Sequence, residues 1–301
     1  MGIALRLDQA DQRLAELTAR RAMGQAARGR RPRRRRKVVK QNFPRGVRLR
    51  YQRALLAIVR AIAEQIRVEI LPLVQRLAAQ TRQLDPSTRQ DAPADTVIDS
   101  LSALQKRLTT TPSAITGIQV TARTAVTDTV AFNARELNRV FSSSLGVGLP
   151  AVEPFLDDFI VTAVRENVRR ISSLAGSEFA EAEQTILSGF RRGSRFEEIA
   201  ARIEGRFDIV ENRARLIARD QIASLNGELN RLRQTNMGVE SYIWRTSGDD
   251  DVRASHEELD GERFTWATGS SEGHPGEPIV CRCIAEPILG DLIEATDPAF
   301  I

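Results

Sequence analysis

The sequence predicts a mostly α N-terminal and middle region followed by a small α+β C-terminal domain. Two observations carry that prediction. Apolar residues recur at steps of three and four from Val47 to about Gln234, as on one face of a helix. After Gly238 the texture changes: Tyr, Ile and Trp alternate over short stretches, and Gly, Pro and Asp become frequent, as in strands joined by turns.

Composition sets the outer limits. The 301 residues are 42% hydrophobic and 28% charged, which suits a globular chain with solvated segments and enough length for one large or two ordinary domains. No apolar run approaches the roughly 18 residues of a membrane span. Met1 to Arg20 mixes Leu with Arg, Asp and Glu, so the expected starting compartment is a cytoplasm, not a secretory route. Cys281 and Cys283 are the two cysteines; at this spacing a bridge between them is strained, and a reduced pair is expected.

Charge is distributed unevenly. Residues 1 to 60 hold 18 basic and 3 acidic side chains, whereas Glu240 to the end holds 4 basic and 14 acidic ones. The densest stretch, Arg28 to Lys37, reads RGRRPRRRRK and carries Arg28, Arg30, Arg31, Arg33, Arg34, Arg35, Arg36 and Lys37. Self-repulsion, a proline and the lack of an apolar stripe predict a segment that is disordered on its own. Its charge density favours a polyanion, and the near absence of aromatics points to phosphate contact without base stacking. Sequence-independent binding of double-stranded DNA is the expectation.

Taken in order, the elements are as follows. Leu55, Ile58, Val59, Ile62, Ile66, Ile70, Val74 and Leu77 predict a helix over Val47 to Leu84 that Pro72 kinks or divides. Pro86 and Pro93 bracket a linker, and helices follow over Thr96 to Leu108 and Ala114 to Val140. Ser142, Ser143, Ser144, Gly146, Gly148 and Pro150 read as a loop. Two helices are expected over Phe155 to Leu174 and Ser177 to about Ser188. Ser194 and Glu197 fit a capping box for a helix that Gly205 closes. A further helix over about Ile209 to Gln234 presents Leu216, Ile217, Ile222, Leu225, Leu229 and Leu232, with Gly238 as its stop. Strands are predicted over Val239 to Thr246 and Ile279 to Ile288. The expected organisation is a basic arm over 1–46, a helical region over 47–190 and an α+β domain over 191–301.

The second half also carries an ordered set of motifs. Ser194 to Ala200 leads into Arg213-Ala214-Arg215-Leu216-Ile217-Ala218-Arg219-Asp220; then come Trp244-Arg245-Thr246, Asp249 to Arg253, His256, Leu259-Asp260-Gly261, His274-Pro275-Gly276-Glu277-Pro278 and Cys281-Arg282-Cys283. Single pieces are common, but the combination over roughly residues 190 to 290 resembles the Mu F-like minor head protein family of tailed phages. Asp220 and Gln221 depart from the Thr-Glu usual in that family. The resemblance implies a virion protein present in few copies, associated with the portal vertex, and acting in assembly of a head competent to package or deliver DNA. The implied partners are the portal protein and the major capsid or scaffolding protein. The implied locations are the phage head and, during assembly, the host cytoplasm. It implies a structural protein and not an enzyme.

Two readings of the thiols stand side by side. His256, Cys281 and Cys283, with His274 as the candidate fourth ligand, supply the donor set of a structural zinc site. Alternate residues of a strand share a face, so only a bend would let both sulfurs reach one ion. Equally, the thiols can be small buried apolar groups beside a hydrogen-bonded histidine.

The alternative function is a metal-dependent nuclease using His256 and the nearby Asp249, Asp250, Asp251, Glu257, Glu258 and Asp260. Against it, Asp260 stands where a zincin motif needs its second His, and the sequence has no Walker loop, GxSxG or CxxC. A toxin-like effector built on the same domain would need a further catalytic module, for which the residues after Cys283 are expected to be too few.

Overall fold

The Leu, Ile and Val stripes become long helices in the computed structural model of the chain, which describes residues 39–81, 83, 94–146 and 148–290. In chain order these are α1 (Arg45–Gln65), a π-helical turn (Ile66–Ile70), α2 (Leu71–Thr81), α3 (Asp95–Thr109), α4 (Pro112–Ser144), α5 (Asp157–Arg192) and α6 (Phe196–Asn236), with a 3₁₀ turn at Pro154–Leu156. After α6 come β1 (Ser241–Arg245), the short α7 (Ala254–Glu258), β2 (Arg263–Thr265) and β3 (Ile284–Pro287). The predicted class, mostly α with a small α+β end, is the observed one. Among the described residues no helix is long and apolar enough to cross a membrane.

Several predicted boundaries move, each for a physical reason. Pro72 falls in the first turn of α2, immediately after the π turn, in which the Leu71 N–H reaches back to the Ile66 carbonyl. Widening the helix there accommodates a residue that lacks an N–H and crowds the preceding turn. The predicted break between Leu174 and Ser177 is absent, because the buried series Ile171, Leu174, Ala175, Phe179, Ala182 and Ile186 runs straight through Gly176. Gly205 likewise fails to close a helix: Ile199, Ile203, Phe207, Val210 and Ala214 continue the buried stripe past it. A mid-helix glycine costs only about 1 kcal/mol, less than the burial of one such side chain. Ser142, Ser143 and Ser144, expected in a loop, finish α4.

Helix ends follow local chemistry more closely. Thr111 precedes Pro112, whose missing N–H costs nothing in the first turn of α4. Gly193 (φ 65) ends α5, with the Ser194 N–H bonded to the Gly189 carbonyl. Gly238 (φ 80) ends α6 in the same way, the Val239 N–H reaching the Gln234 carbonyl.

The chain divides into two compact units, each assembled from separate stretches. One comprises Arg45–Asp128 and Asp157–Ile222. Its core joins Ile62, Ile66, Ile70 and Val74 to Val97, Leu101 and Leu104 of α3, and to Phe179, Ile186, Phe190, Ile199 and Ile203. Exposed ion pairs such as Arg60–Glu211 and Arg67–Glu204 decorate it and add little individually. Glu178 is buried in this unit, and burial pushes its carboxyl from about 4.5 up to about 7, with Arg206 opposing, Glu181 reinforcing and Arg213 opposing.

The other unit contains, so far as they are described, Met1–Pro44, Thr129–Leu156 and Ala223–Ile301. Here α6 has no exposed residue from Ala223 to Gln234, and the polar side chains on this stretch pair inward. Arg233, 1% exposed, grips Glu153 with Nε and Nη2 at 2.8 and 2.6 Å and donates through Nη1 to Asn133 Oδ1 and the Val130 carbonyl. Asn133 in turn donates to Asn226 and Asn230, and Gln41 donates to Asn230. The next residue, Gln234, donates to the Ala285 carbonyl of β3 and accepts from the Trp266 indole. Leu216, read from the sequence as part of the apolar side of α6, is instead exposed.

Two outcomes follow from these buried charges. The raised Glu178 pKa means the folded state prefers the neutral acid, so that its contribution is most favourable below about pH 4.5 and erodes as pH rises through about 7. Glu178→Gln should therefore gain melting temperature over the wild type by more at pH 8 than at pH 5; an equal difference at both would contradict the assignment. Arg233→Ala should cost about 3–5 kcal/mol by denaturant titration, since it strands the Glu153 carboxylate. Arg233→Lys should recover little of that, because an ammonium cannot reproduce the two-pronged grip.

Candidate metal centre

The sheet that carries the motif residues has the order β2-β1-β3, with β1 antiparallel to both neighbours. Tyr242 and Trp244 point from β1 into a core shared with Cys281, Cys283 and Ala285, flanked by Leu259, Phe264 and Trp266. The second strand begins later than predicted, at Ile284, because Pro278 to Val280 form a turn closed by the Cys281 N–H on the Pro278 carbonyl. The strand Arg263–Thr265 had no clear signal, being only three residues long.

That turn supplies the bend the two cysteines require. Val280 has φ 62, and no other non-glycine residue among those described has a positive φ. A β-branched residue in the left-handed region is strained. Beyond it Cys281 and Cys283 face inward, 4% and 5% exposed, while Arg282 between them turns outward to Asp249 and Asp251. The Arg253 side chain donates to the Ile279 carbonyl and pins the start of α7 to the same turn.

α7 then places His256, 3% exposed, over the two sulfurs. Its Nδ1 lies 3.8 Å from Cys281 Sγ and 3.5 Å from Cys283 Sγ, and all three potential ligand atoms fall within 4.8 Å of one another. On the far side of the ring, Nε2 is buried without a hydrogen-bond partner, and a Glu272 carboxylate oxygen stands 3.7 Å away. The Trp244 ring meets the imidazole edge-on at 5.4 Å. The Cys283 thiol donates toward Cys281 and draws that thiol down to about 6, against burial and with help from the Gly276 and Cys283 amides. Cys283, the donor in that pair, is pushed far up.

Of the predicted site residues, His256, Cys281 and Cys283 are brought together. His274 is not among them: its Nδ1 is 2.9 Å from the Tyr242 hydroxyl, and its ring packs against Trp266. Of the nearby acids, Asp249, Asp251 and Asp260 have structural partners. Asp249 and Asp251 hold Arg282, and Asp260 accepts from the Thr246 amide. Glu272 and the Arg282 pairs were not singled out from the sequence, where they read as ordinary surface charge. Arg28 to Lys37 lie outside the described residues.

Every motif element from Trp244 to Cys283 thus converges on one small module, and residues 180–286 match the family model described as Phage Mu protein F like protein. This segment of the chain is therefore similar to the Phage Mu protein F like proteins. An uncharacterised protein of Haemophilus influenzae is 31% identical to this chain over 161 residues, which cover 52% of the chain and 36% of that protein. The chain therefore spans well under half the length of this relative. No solved structure matches.

The Mu F-like segment depends on one close backbone approach. A methyl group at Gly227 would lie 2.5 Å from the Pro275 carbonyl oxygen and 2.9 Å from Gly276 Cα, whereas one at Gly205 would meet nothing within 4 Å. Gly227→Ala should therefore lower the melting temperature by forcing the Pro275-Gly276 loop off α6. Gly205→Ala should raise stability by about 0.5–1 kcal/mol through helix propensity alone. Thermal melts that rank the two variants the other way would refute this packing.

Proposed function

We propose that this protein is a minor head protein of a tailed phage, a structural component of the virion that acts in head morphogenesis near the portal vertex. The Mu F-like match over residues 180–286 carries the reading. The geometry of the module supports it. His256, Cys281 and Cys283 are each at most 5% exposed, and Asp249, Asp251 and Asp260 hold neighbouring parts of the fold. A hydrolytic centre needs groups that reach a substrate; the histidine and both thiols are enclosed, which favours a docking module over a nuclease that works through His256.

Within this reading the portal protein and the major capsid or scaffolding protein are the partners of the folded part. The basic arm neutralises packaged double-stranded DNA without sequence preference. The protein resides in the phage head, after assembly in the host cytoplasm. Mass spectrometry of purified virions and of DNA-free heads should find the chain in both, and its absence from both would defeat the proposal.

The arm has its own test. Each phosphate neutralised releases a counterion and adds about −0.9 to the slope of log K against log salt on duplex DNA. Eight cationic side chains in Arg28 to Lys37 set an upper limit of roughly −7. Titrations on two unrelated duplexes should give steep, similar slopes, and deletion of 28–37 should abolish most binding while leaving the melting transition nearly unchanged. Equal, salt-insensitive binding by both proteins would assign the arm to an acidic protein partner.

A further inference from the structure

We infer that His256, Cys281 and Cys283 form a binding site for a thiophilic divalent cation of tetrahedral preference, zinc being the ion it fits. The inference goes beyond the head-protein reading and stands or falls separately from it. The first argument is metric. Zinc binds thiolate sulfur at about 2.3 Å and imidazole nitrogen at about 2.0–2.1 Å, so at a tetrahedral angle the S···N edge is about 3.6 Å. The observed separations from Nδ1 are 3.8 and 3.5 Å.

The second argument is how the ligands are held. A strained Val280 turns the chain so that Cys281 and Cys283 converge, and the Gly276 and Cys283 amides are directed at the Cys281 sulfur. Strain in a β-branched residue persists only where the surroundings impose it. The third is the histidine. With Nδ1 turned to the sulfurs, Nε2 is buried and has no hydrogen-bond partner, yet it faces Glu272. Binding through Nδ1 fixes the tautomer with its proton on Nε2, directed at that carboxylate, the arrangement that orients metal-binding histidines and raises their basicity.

Chemistry and burial select the ion. Two thiolates and one imidazole favour zinc over magnesium or calcium, which take oxygen ligands. Such a site suits a module whose sheet has strands of five, three and four residues. Small folds with little core gain stability from a structural metal.

The test uses the full-length chain, expressed without an affinity tag, with metal content read by elemental mass spectrometry. One zinc per chain is expected. Cys281→Ser, Cys283→Ser and His256→Ala should each lose it, and His274→Ala should keep it. Replacing the ion by Co²⁺ should give a thiolate-to-cobalt charge-transfer band and the visible absorption of tetrahedral cobalt. A core substitution can unfold the module by itself, so Glu272→Gln provides a second arm. It retains all three ligands and should weaken zinc affinity about tenfold or more, measured by competition with a chelating dye. Wild-type protein that neither contains nor takes up Zn²⁺ or Co²⁺, or that carries a Cys281–Cys283 disulfide by mass, would overturn the site. Equal loss of zinc in His274→Ala would overturn this ligand set.

Discussion

A fully buried guanidinium governs the C-terminal half of this molecule. Arg233 has no contact with water, so its charge must be met within the protein, and Glu153, Asn133 and the Val130 carbonyl meet it. That requirement fixes where α4, the 3₁₀ turn and the end of α6 lie with respect to one another. A buried pair of this kind adds little net stability over an apolar replacement, but it tolerates few alternative arrangements. Gln234, one residue on, extends the same constraint to β3 and Trp266. The sheet is thus attached to the helix by polar bonds with defined partners, not by apolar contact alone.

The module built on that attachment is economical. Three short strands offer too few ladder bonds to stand alone, and α6 together with the aromatic cluster of Tyr242, Phe264 and Trp266 completes the core. Residues of the ordered motif set tie its loops together. Asp260 holds Thr246 and Arg282 holds Asp249 and Asp251, while Gly227 of α6 lets the Pro275-Gly276 loop approach the helix closely. Their spacing along the chain reflects assembly of one small structure from five separated segments.

Much of this was legible in the sequence where one signal dominated. The Ile62 to Val74 stripe, the disturbance at Pro72 and the stop at Gly238 were all readable from local pattern, whereas the grouping of His256 with both cysteines was one of two readings the residues left open. Errors arose where a local signal competed with a longer one. Gly176 and Gly205 looked like breaks because a window of a few residues cannot see that the buried stripe resumes in phase beyond them. The polar core was invisible for another reason: Asn133, Asn226, Asn230 and Arg233 are residue types usually found at the surface, and their pairing is fixed only by the fold. Val280 gave no warning either, since a valine at positive φ contradicts the propensity from which turns are read.

The π turn in the first helix has a consequence for how this chain could change length. Buried residues advance by fours from Ile62 through Ile66, Ile70 and Val74 to Ala78. On a regular α-helix, at about 100° per residue, four such steps would rotate the stripe roughly 160° away from its starting face. The wider turn at Ile66–Ile70 absorbs one residue and keeps the stripe on one side. It has the form of a single-residue insertion retained within a helix. Loss of one residue there would restore ordinary winding and leave both flanks in phase, whereas the same loss elsewhere along α1 or α2 would turn everything beyond it out of the core.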